Sequence, residues 1–384
     1  MATPATPPAD PRALPTLAAL LAGQAAGDIA RDDDAAWQSV LQAGRFHGVL
    51  PLVHAGWVGA DLRQATSPLF ADGCAAEARR VAAMDLAQRQ AIAQVLPVIA
   101  AAGGEPVLLK GSALAWTHYA APSLRPRADI DVLIAPASRA SVARALADAG
   151  LAAALQLPGE YVSSQATWTP ATAGGSTQSF DVHWRINNAP VLARLLDHAE
   201  IVASALPLPA LGPAARVPSS PHAVLIAALH RVGSRDSPYH AAGWSLAGGD
   251  RLIWLMDFLM LARGLDDAGR SATQALLATK GARALLSDAI AVLRALRPAW
   301  ADEAAALLPS GAASDPRLDA YMAAAPARRR WLDFIALGNW AARVGYLAEQ
   351  GFPPAAYLRA RDPAHAHWPR PLLAARRLLA RPGG

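Results

Sequence analysis

Two carboxylates stand one residue apart in Asp129-Ile130-Asp131, which leads into the apolar run Val132-Leu133-Ile134. Alternation along a β-strand places Asp129 and Asp131 on one face and Ile130 on the other. Neighbouring carboxylates repel each other unless they share a cation, and Mg²⁺ prefers oxygen ligands. The motif predicts a metal-binding strand, although an acid-x-acid strand alone is also common on solvated faces.

A third carboxylate lies in Phe180-Asp181-Val182-His183-Trp184-Arg185, where alternation predicts that Asp181, His183 and Arg185 share one face. Three carboxylates on neighbouring strands can hold two ions, which activate an attacking oxygen and stabilise leaving pyrophosphate. Asp181 also suits general-base work on an acceptor hydroxyl. We expect His183 and Arg185 to contact the nucleotide, or His183 to orient a carboxylate by hydrogen bonding.

A candidate phosphate site precedes these acids. Gly111-Ser112 lies between the apolar run Val107-Leu108-Leu109 and a helix-compatible segment, so that backbone N–H groups at a helix start could approach phosphate oxygens. Lys110 is one of only two lysines among 35 basic residues. Phosphate contact and a salt bridge to a nearby acid are both open for Lys110, and Arg125 and Arg127 are further anion-binding candidates.

The elements that must position these residues change in character along the chain. Residues 1–100 and those from 189 onward have helical patterns, whereas strands and helices interleave only between these two stretches. We therefore predict an α+β protein, with a small mixed sheet in the core at 101–205, a helical region at 1–100 and a helical region at 206–384. The predicted core elements are strands at 107–109, 129–134, 161–169 and 178–186, helices at 113–119 and 138–149, and a hairpin turn at Gly174-Gly175.

Three motifs together resemble those of the polymerase-β-like nucleotidyltransferases: Gly111-Ser112, Asp129-Ile130-Asp131 and Phe180-Asp181-Val182. More narrowly, Leu108-Leu109-Lys110-Gly111, the stretch from Leu124 to Asp131, and Asp181-Val182-His183-Trp184 resemble a large bacterial family of uncharacterised nucleotidyltransferases. Flanking segments such as His47-Gly48-Val49-Leu50-Pro51-Leu52 and Trp254 to Asp257 resemble that family more loosely.

The resemblance implies the polymerase-β-like core and the transfer of a nucleoside monophosphate from a triphosphate such as ATP to an acceptor, with release of pyrophosphate. It implies two Mg²⁺ ions, or Mn²⁺, held by Asp129, Asp131 and Asp181. Small-molecule, sugar, peptide and protein acceptors all remain open. A different class also remains open, in which the chain binds nucleotide without catalysis, as an antitoxin-like regulator would.

The amino-acid composition limits the classes of site and the cellular compartments that fit this chain. Cys74 is the only cysteine, which excludes a disulfide framework and a cysteine-rich zinc site and favours a reducing, cytoplasmic compartment. The N-terminus lacks the pattern of a secretory signal, and no run reaches the ~20 apolar residues of a membrane span. We therefore expect a cytoplasmic protein without a membrane span.

The net charge of +5 is concentrated between Ala355 and Gly384, where six arginines face the single acid Asp362. Such a tail fits a solvated helix face better than a nucleic-acid site, because the rest of the chain has no net positive charge. A polymerase or tailing enzyme acting on nucleic acid is therefore the less favoured alternative.

A second cluster of chemically active residues comprises His222, His230 and Asp257. The two histidines are eight residues apart, which places them nearly on one helix face. A buried His–Asp hydrogen bond joining two helices explains this set better than a metal site does. The tryptophans at apolar helical positions, among them Trp254, Trp331 and Trp340, are expected in the core.

Overall fold

The computed structural model describes most of the 384-residue chain. The described residues are 10–56, 61–154, 159–171, 178–235, 238–241, 244–247, 249–309, 314–362 and 365–379.

Eighteen α-helices and nine strands are present in this described part of the chain. The helices are α1 Ala13–Leu21, α2 Asp34–His47, α3 Leu50–Gly56, α4 Pro68–Ala101, α5 Lys110–Thr117, α6 Arg139–Asp148, α7 Pro190–Ala193, α8 His198–Ala203, α9 Ser220–Arg235, α10 Leu252–Gly264, α11 Asp267–Thr279, α12 Arg283–Leu296, α13 Pro298–Ala305, α14 Pro316–Ala323, α15 Pro326–Ala336, α16 Trp340–Gly351, α17 Ala355–Arg361 and α18 Arg370–Leu379. The strands are β1 Val107–Leu108, β2 Asp129–Leu133, β3 Leu151–Ala153, β4 Gln165–Pro170, β5 Ser179–His183, β6 Leu206–Pro207, β7 Arg216–Val217, β8 Pro238–Ala241 and β9 Trp244–Ala247.

The largest sheet has five strands in the order β1-β2-β5-β4-β3. Strands β2 and β5 are parallel at its centre, whereas the other neighbouring pairs are antiparallel. The fold is mixed α/β with a small mixed sheet, which is consistent with the predicted α+β class, and the polymerase-β-like core stays a prediction.

Alternating side chains fix the faces of the two central strands. Ile130 and Val132 on β2 and Phe180 and Val182 on β5 are all buried. Burial of four large apolar side chains on one face specifies the register, because a slip by one residue would expose all of them. The opposite face of the same strands carries the acidic residues.

Helix α6 follows β2 and buries Val142 and Leu146. The Arg139 guanidinium at its start lies 4.0 Å from the centre of the Trp184 ring, immediately after β5. This cation–π contact fixes the end of β5 relative to α6. The helix is followed by Gly150, whose φ of +84° favours glycine.

The chain divides into two compact units, each built from separate stretches of sequence. The first unit comprises Met1–Ala91, Leu109–Ala128 and Ser220–Ser314, and the second comprises Ile92–Leu108, Asp129–Ser219 and Asp315–Gly384. The five-stranded sheet lies in the second unit. The division into regions 1–100, 101–205 and 206–384 stays a prediction.

Several local predictions differ from the structure. Strands also occur outside the core region, since β6-β7 and β8-β9 form two small ribbons. Strand β5 ends at His183, three residues earlier than expected, and helix α5 begins at Lys110, so that Gly111 and Ser112 lie in its first turn. The predicted turn at Gly174-Gly175 lies outside the described residues.

Among the described helices, none combines the length and the apolar character that crossing a membrane requires.

Candidate active site

The two central strands bring two carboxylates side by side. In the parallel register of β2 and β5, Asp131 is paired with Asp181, and Asp129 is paired with Ser179. Paired residues on adjacent strands project to the same face of a sheet. Asp131 is buried, whereas Asp129 and Asp181 are half-buried.

His183 joins this pair from the end of β5. Its Nε2 atom donates a hydrogen bond to Asp131 Oδ1 at 2.8 Å, and the His183 side chain is only 4% exposed. The sequence had left open that His183 orients a carboxylate, and the carboxylate it contacts is the one on the neighbouring strand. A buried imidazole that bonds a carboxylate fixes the rotamer of both groups.

The Asp181 carboxylate is held at both oxygens by side chains of β4. Gln165 Nε2 donates to Asp181 Oδ2 at 2.7 Å, and the Thr167 hydroxyl donates to Asp181 Oδ1. This follows from the antiparallel register, which pairs Thr167 directly with Asp181. Sequence analysis missed both residues. The alternation of Gln165 and Thr167 with Ala166 and Trp168 indicates that Gln165 and Thr167 share a face, but it does not indicate which strand that face adjoins.

Asp131, Asp181 and His183 fit a divalent cation. Each offers one ligand atom, and these atoms lie within 4.8 Å of one another. Carboxylate oxygens suit Mg²⁺ and Mn²⁺, and a neutral imidazole can add a nitrogen ligand for a transition metal. Asp129 is not part of this group of three, although it lies on the same strand, two residues before Asp131.

The candidate phosphate-binding residues belong to the first unit. Lys110 is half-buried and has a φ of +51°, in the left-handed region that lysine rarely adopts. This single residue turns the chain from the extended Leu109 into α5. Strained backbone of this kind occurs preferentially at functional sites. The nucleotide-binding role of Lys110 stays a prediction.

Gly111 and Ser112 are both buried. A Cβ atom at position 111 would lie 3.2 Å from Nη1 and 3.3 Å from Cζ of Arg125, closer than ordinary van der Waals contact. Close approach of the Arg125 guanidinium therefore gives a packing reason for the glycine. Phosphate contacts by the backbone of Gly111 and Ser112 stay predictions.

Arg125 takes part in a buried ion pair. Its Nε and Nη2 atoms donate to the two oxygens of Asp257, each at 2.8 Å, and the Tyr119 hydroxyl donates to Asp257 Oδ1 at 2.6 Å. Burial, followed by the charge of Asp257, raises the pKa of the Tyr119 phenol. These contacts give Arg125 a structural partner that the sequence did not predict, and its role in nucleotide binding stays a prediction.

The other two predicted anion-binding arginines differ in environment. The Arg127 guanidinium is paired with Asp85, and burial lowers the pKa of Arg127 while Asp85 opposes this shift. Arg185 is half-buried and follows the end of β5. Strand alternation therefore does not extend to Arg185. It no longer supports the prediction that the Arg185 side chain lies on the same face as Asp181.

The expected hydrogen bond between Asp257 and a histidine is replaced by the contacts with Arg125 and Tyr119. His230 instead packs edge-on against Trp254, with ring centres 5.4 Å apart. Trp254 is buried as expected, but Trp331 and Trp340 are exposed, which corrects their predicted place in the core.

Comparison with protein families adds one finding to this geometry. The model of the family described as uncharacterised nucleotidyltransferase matches residues 33–298, which is more than half of the chain and includes every predicted site residue. No curated protein matches the chain.

Proposed function

Since this chain belongs to the uncharacterised nucleotidyltransferase family, we propose that it moves a nucleoside monophosphate from a nucleoside triphosphate to an acceptor, with release of pyrophosphate. Nucleotidyltransferases are enzymes that transfer groups containing phosphorus. The observation that carries the proposal is the pairing of Asp131 with Asp181 in the register of β2 and β5, with His183 beside them.

Asp129, Asp131 and Asp181 would hold the divalent ions, two Mg²⁺ or alternatively Mn²⁺, and His183 would hold Asp131 in place or supply a nitrogen ligand. When bound, such ions neutralise phosphate charge and stabilise the attacking and leaving oxygens. The ligand set supports the proposal because its oxygens come from two neighbouring strands rather than from flexible loops.

Asp181 would accept the proton of the acceptor hydroxyl. Thr167 and Gln165 would hold its carboxylate in one orientation, since each donates to a different oxygen. Each carboxylate oxygen retains lone-pair capacity for the incoming proton or for a cation. The catalytic contribution of these residues is positioning together with charge neutralisation, as is general for phosphoryl-type transfer.

Lys110, Gly111, Ser112 and Arg125 are the proposed contacts to the β- and γ-phosphates, with Arg127 and Arg185 as further candidates. This part of the proposal is supported by the sequence motif and by the strained φ of Lys110. An ammonium on a half-buried side chain can bind a phosphate as a compact charge.

We propose ATP as the first triphosphate to test, in a cytoplasmic bacterial setting. We also propose a small-molecule, sugar, peptide or protein acceptor in preference to a nucleic acid. The preference is supported by the charge distribution, because the chain before Ala355 has no net positive charge with which to bind a polyanion.

The experiment is incubation of the purified chain with α-³²P-labelled ATP, Mg²⁺ or Mn²⁺, and cell extract. We expect a labelled product and labelled-pyrophosphate release from γ-³²P-labelled ATP, both lost in Asp129→Asn, Asp131→Asn and Asp181→Asn. Asp148→Asn is the matched control, because Asp148 is an exposed acid at the end of α6. ATP binding without any labelled product would contradict the proposal and favour a catalytically silent regulator.

A further inference from the structure

Large apolar side chains are exposed mainly in one part of the described chain. Ten such residues are at least one-third exposed, and seven of them lie between positions 331 and 372. These seven, named here the C-terminal apolar face, are Trp331, Ile335, Trp340, Val344, Leu347, Phe352 and Leu372. An exposed apolar surface of this kind indicates a binding surface rather than chance.

The helical spacing places these residues in stripes. Trp331 and Ile335 are one turn apart on α15, and Trp340, Val344 and Leu347 recur at positions i, i+4 and i+7 on α16. Residues at such intervals share one side of a helix. None of the residues of α16 is buried, so the apolar stripe of this helix is exposed to solvent.

Arg343 links the two stripes. Its guanidinium lies 5.4 Å from the centre of the Trp340 ring and 5.9 Å from that of Phe334, which stacks on Trp331. Its Nη2 atom also donates to the main-chain oxygen of Ile335 at 3.2 Å. The stripes of α15 and α16 therefore belong to one surface of the second unit.

The same part of the chain is strongly basic. Residues 315–384 contain eleven arginines and five acids, a net charge of 11 − 5 = +6, which exceeds the +5 of the entire chain. Four of the five acids are engaged: Asp315 accepts from the Arg317 N–H, Asp333 is buried, Glu349 accepts from the backbone N–H groups of residues 160–162, and Asp362 pairs with Arg376. Arg328 and Arg330 are exposed directly before Trp331.

We propose that the C-terminal apolar face, with its flanking arginines, binds the surface of an anionic phospholipid bilayer. Tryptophan, phenylalanine and leucine on one side of a helix and arginine around them are the composition of helices that lie in a membrane interface. Arginine near an anionic leaflet adds electrostatic attraction. This association leaves the chain on the membrane without crossing it, and it is independent of nucleotidyl transfer.

Two other occupants fit the observations less well. Single-stranded nucleic acid would use stacked aromatic rings, but Ile335, Val344, Leu347 and Leu372 offer no ring to a base. A second copy of the chain would bring two strongly cationic surfaces together. An anionic lipid surface accommodates the aliphatic side chains at its acyl boundary, and its headgroups neutralise the charge of the arginines.

The test is flotation of the full-length chain with vesicles of phosphatidylcholine containing phosphatidylglycerol, compared with vesicles of phosphatidylcholine alone. We expect salt-sensitive binding to the anionic vesicles. The double variant Trp331→Ser/Trp340→Ser should reduce the partition coefficient by about tenfold or more. Arg328→Glu/Arg330→Glu should reduce it by at least about tenfold, since each basic residue contributes roughly a fivefold effect.

Matched controls separate the surface from general hydrophobicity and charge. Leu86→Ser removes an equally exposed apolar side chain on α4, and Arg63→Glu/Arg294→Glu reverses two exposed arginines elsewhere. These variants should bind as the unmodified chain does. Thermal unfolding of each variant verifies folding.

Three results would overturn the lipid proposal. The first is binding that does not distinguish anionic from neutral vesicles or survives the face substitutions. The second is binding of single-stranded RNA, but not of vesicles, that the same substitutions remove. The third is self-association by light scattering, without vesicle binding, that Trp331→Ser/Trp340→Ser removes.

Discussion

Asp131 and Asp181 are register partners on two adjacent parallel strands, so their carboxylates leave the same face of the sheet one strand spacing apart. That spacing is about 4.8 Å between backbones. Two carboxylates at this separation can approach one cation without rearrangement of the backbone. The register itself is fixed by the buried Ile130, Val132, Phe180 and Val182 on the other face.

Thr167→Val tests whether the hydroxyl on β4 positions Asp181. Valine retains the shape of threonine but cannot donate to Asp181 Oδ1, so we expect Mn²⁺ binding to weaken by about 10–100-fold. Thr167→Ser should restore most of the affinity. Isothermal titration measures the affinity, and Thr169→Val on the same strand is the control. Equal affinities for Thr167→Val and Thr169→Val would remove the positioning role.

Lys110→Gly separates phosphate binding from a structural role of the lysine. Glycine adopts a φ of +51° without strain. Relief of the backbone strain, about 1–2 kcal/mol, offsets the entropic cost of ordering a glycine, about 0.5–1 kcal/mol. We therefore expect an unstrained backbone at position 110, together with ATP binding weakened by about 10–100-fold. Lys110→Ala should weaken binding equally but unfold more easily than Lys110→Gly. Undiminished ATP affinity in both variants would contradict the assignment.

Asp257→Ala tests the buried ion pair with Arg125. Removal of the carboxylate leaves a buried guanidinium without its charge partner, which we expect to lower the free energy of unfolding by about 3–5 kcal/mol. Glu303→Gln is the comparison, because Glu303 pairs with Arg263 at an exposed position and should cost about 0–1 kcal/mol. Urea unfolding measures both. Similar losses for the two variants would show that burial adds nothing to the Arg125 pair.

Asp333 should make stability depend on pH. Burial, opposed by the hydrogen bond from the Val191 N–H and by other groups, raises the pKa of Asp333 from 3.8 to about 6. The folded state therefore binds more protons than the unfolded state between these values, and stability falls as pH rises through that window. Above it, the carboxylate costs the folded state about 3 kcal/mol.

Asp333→Asn removes this titration while keeping an oxygen for the Val191 N–H. Its stabilising effect relative to the unmodified chain should be small near pH 4 and grow to about 3 kcal/mol near pH 7. Urea unfolding across that range measures the difference, with Asp319→Asn on the exposed side of α14 as control. A difference that is constant with pH would contradict the raised pKa.

The central strands could be predicted because the polar–apolar alternation that indicates each strand lies within a few consecutive residues. Asp129-Ile130-Asp131 and Phe180-Asp181-Val182 alternate polar with apolar residues, and β2 and β5 lie within the ranges predicted from that alternation, although β5 ends three residues early. Membership of the nucleotidyltransferase family, inferred from resemblance, is confirmed by the match over residues 33–298.

Features that depend on distant partners could not be predicted. The contact of Thr167 with Asp181 requires the register of β4 against β5, which the alternation of either strand alone does not fix. Arg125 and Asp257 are 132 residues apart in sequence, so no local pattern indicates that they pair. The position of Arg125 in a loop just before the acidic motif therefore led to the prediction of an anion site. The short β3, Leu151–Ala153, has two exposed residues and no apolar alternation to mark it.

The central claim is that Asp131 and Asp181 bind divalent cations together. Calorimetric titration of Mn²⁺ into the chain, with a non-hydrolysable ATP analogue present, measures this directly. We predict saturable binding that weakens by more than about 100-fold in Asp131→Asn and in Asp181→Asn, beyond the range for residues that only orient a ligand. Asp148→Asn should bind as the unmodified chain does. Equal Mn²⁺ affinity in all four proteins would contradict the claim.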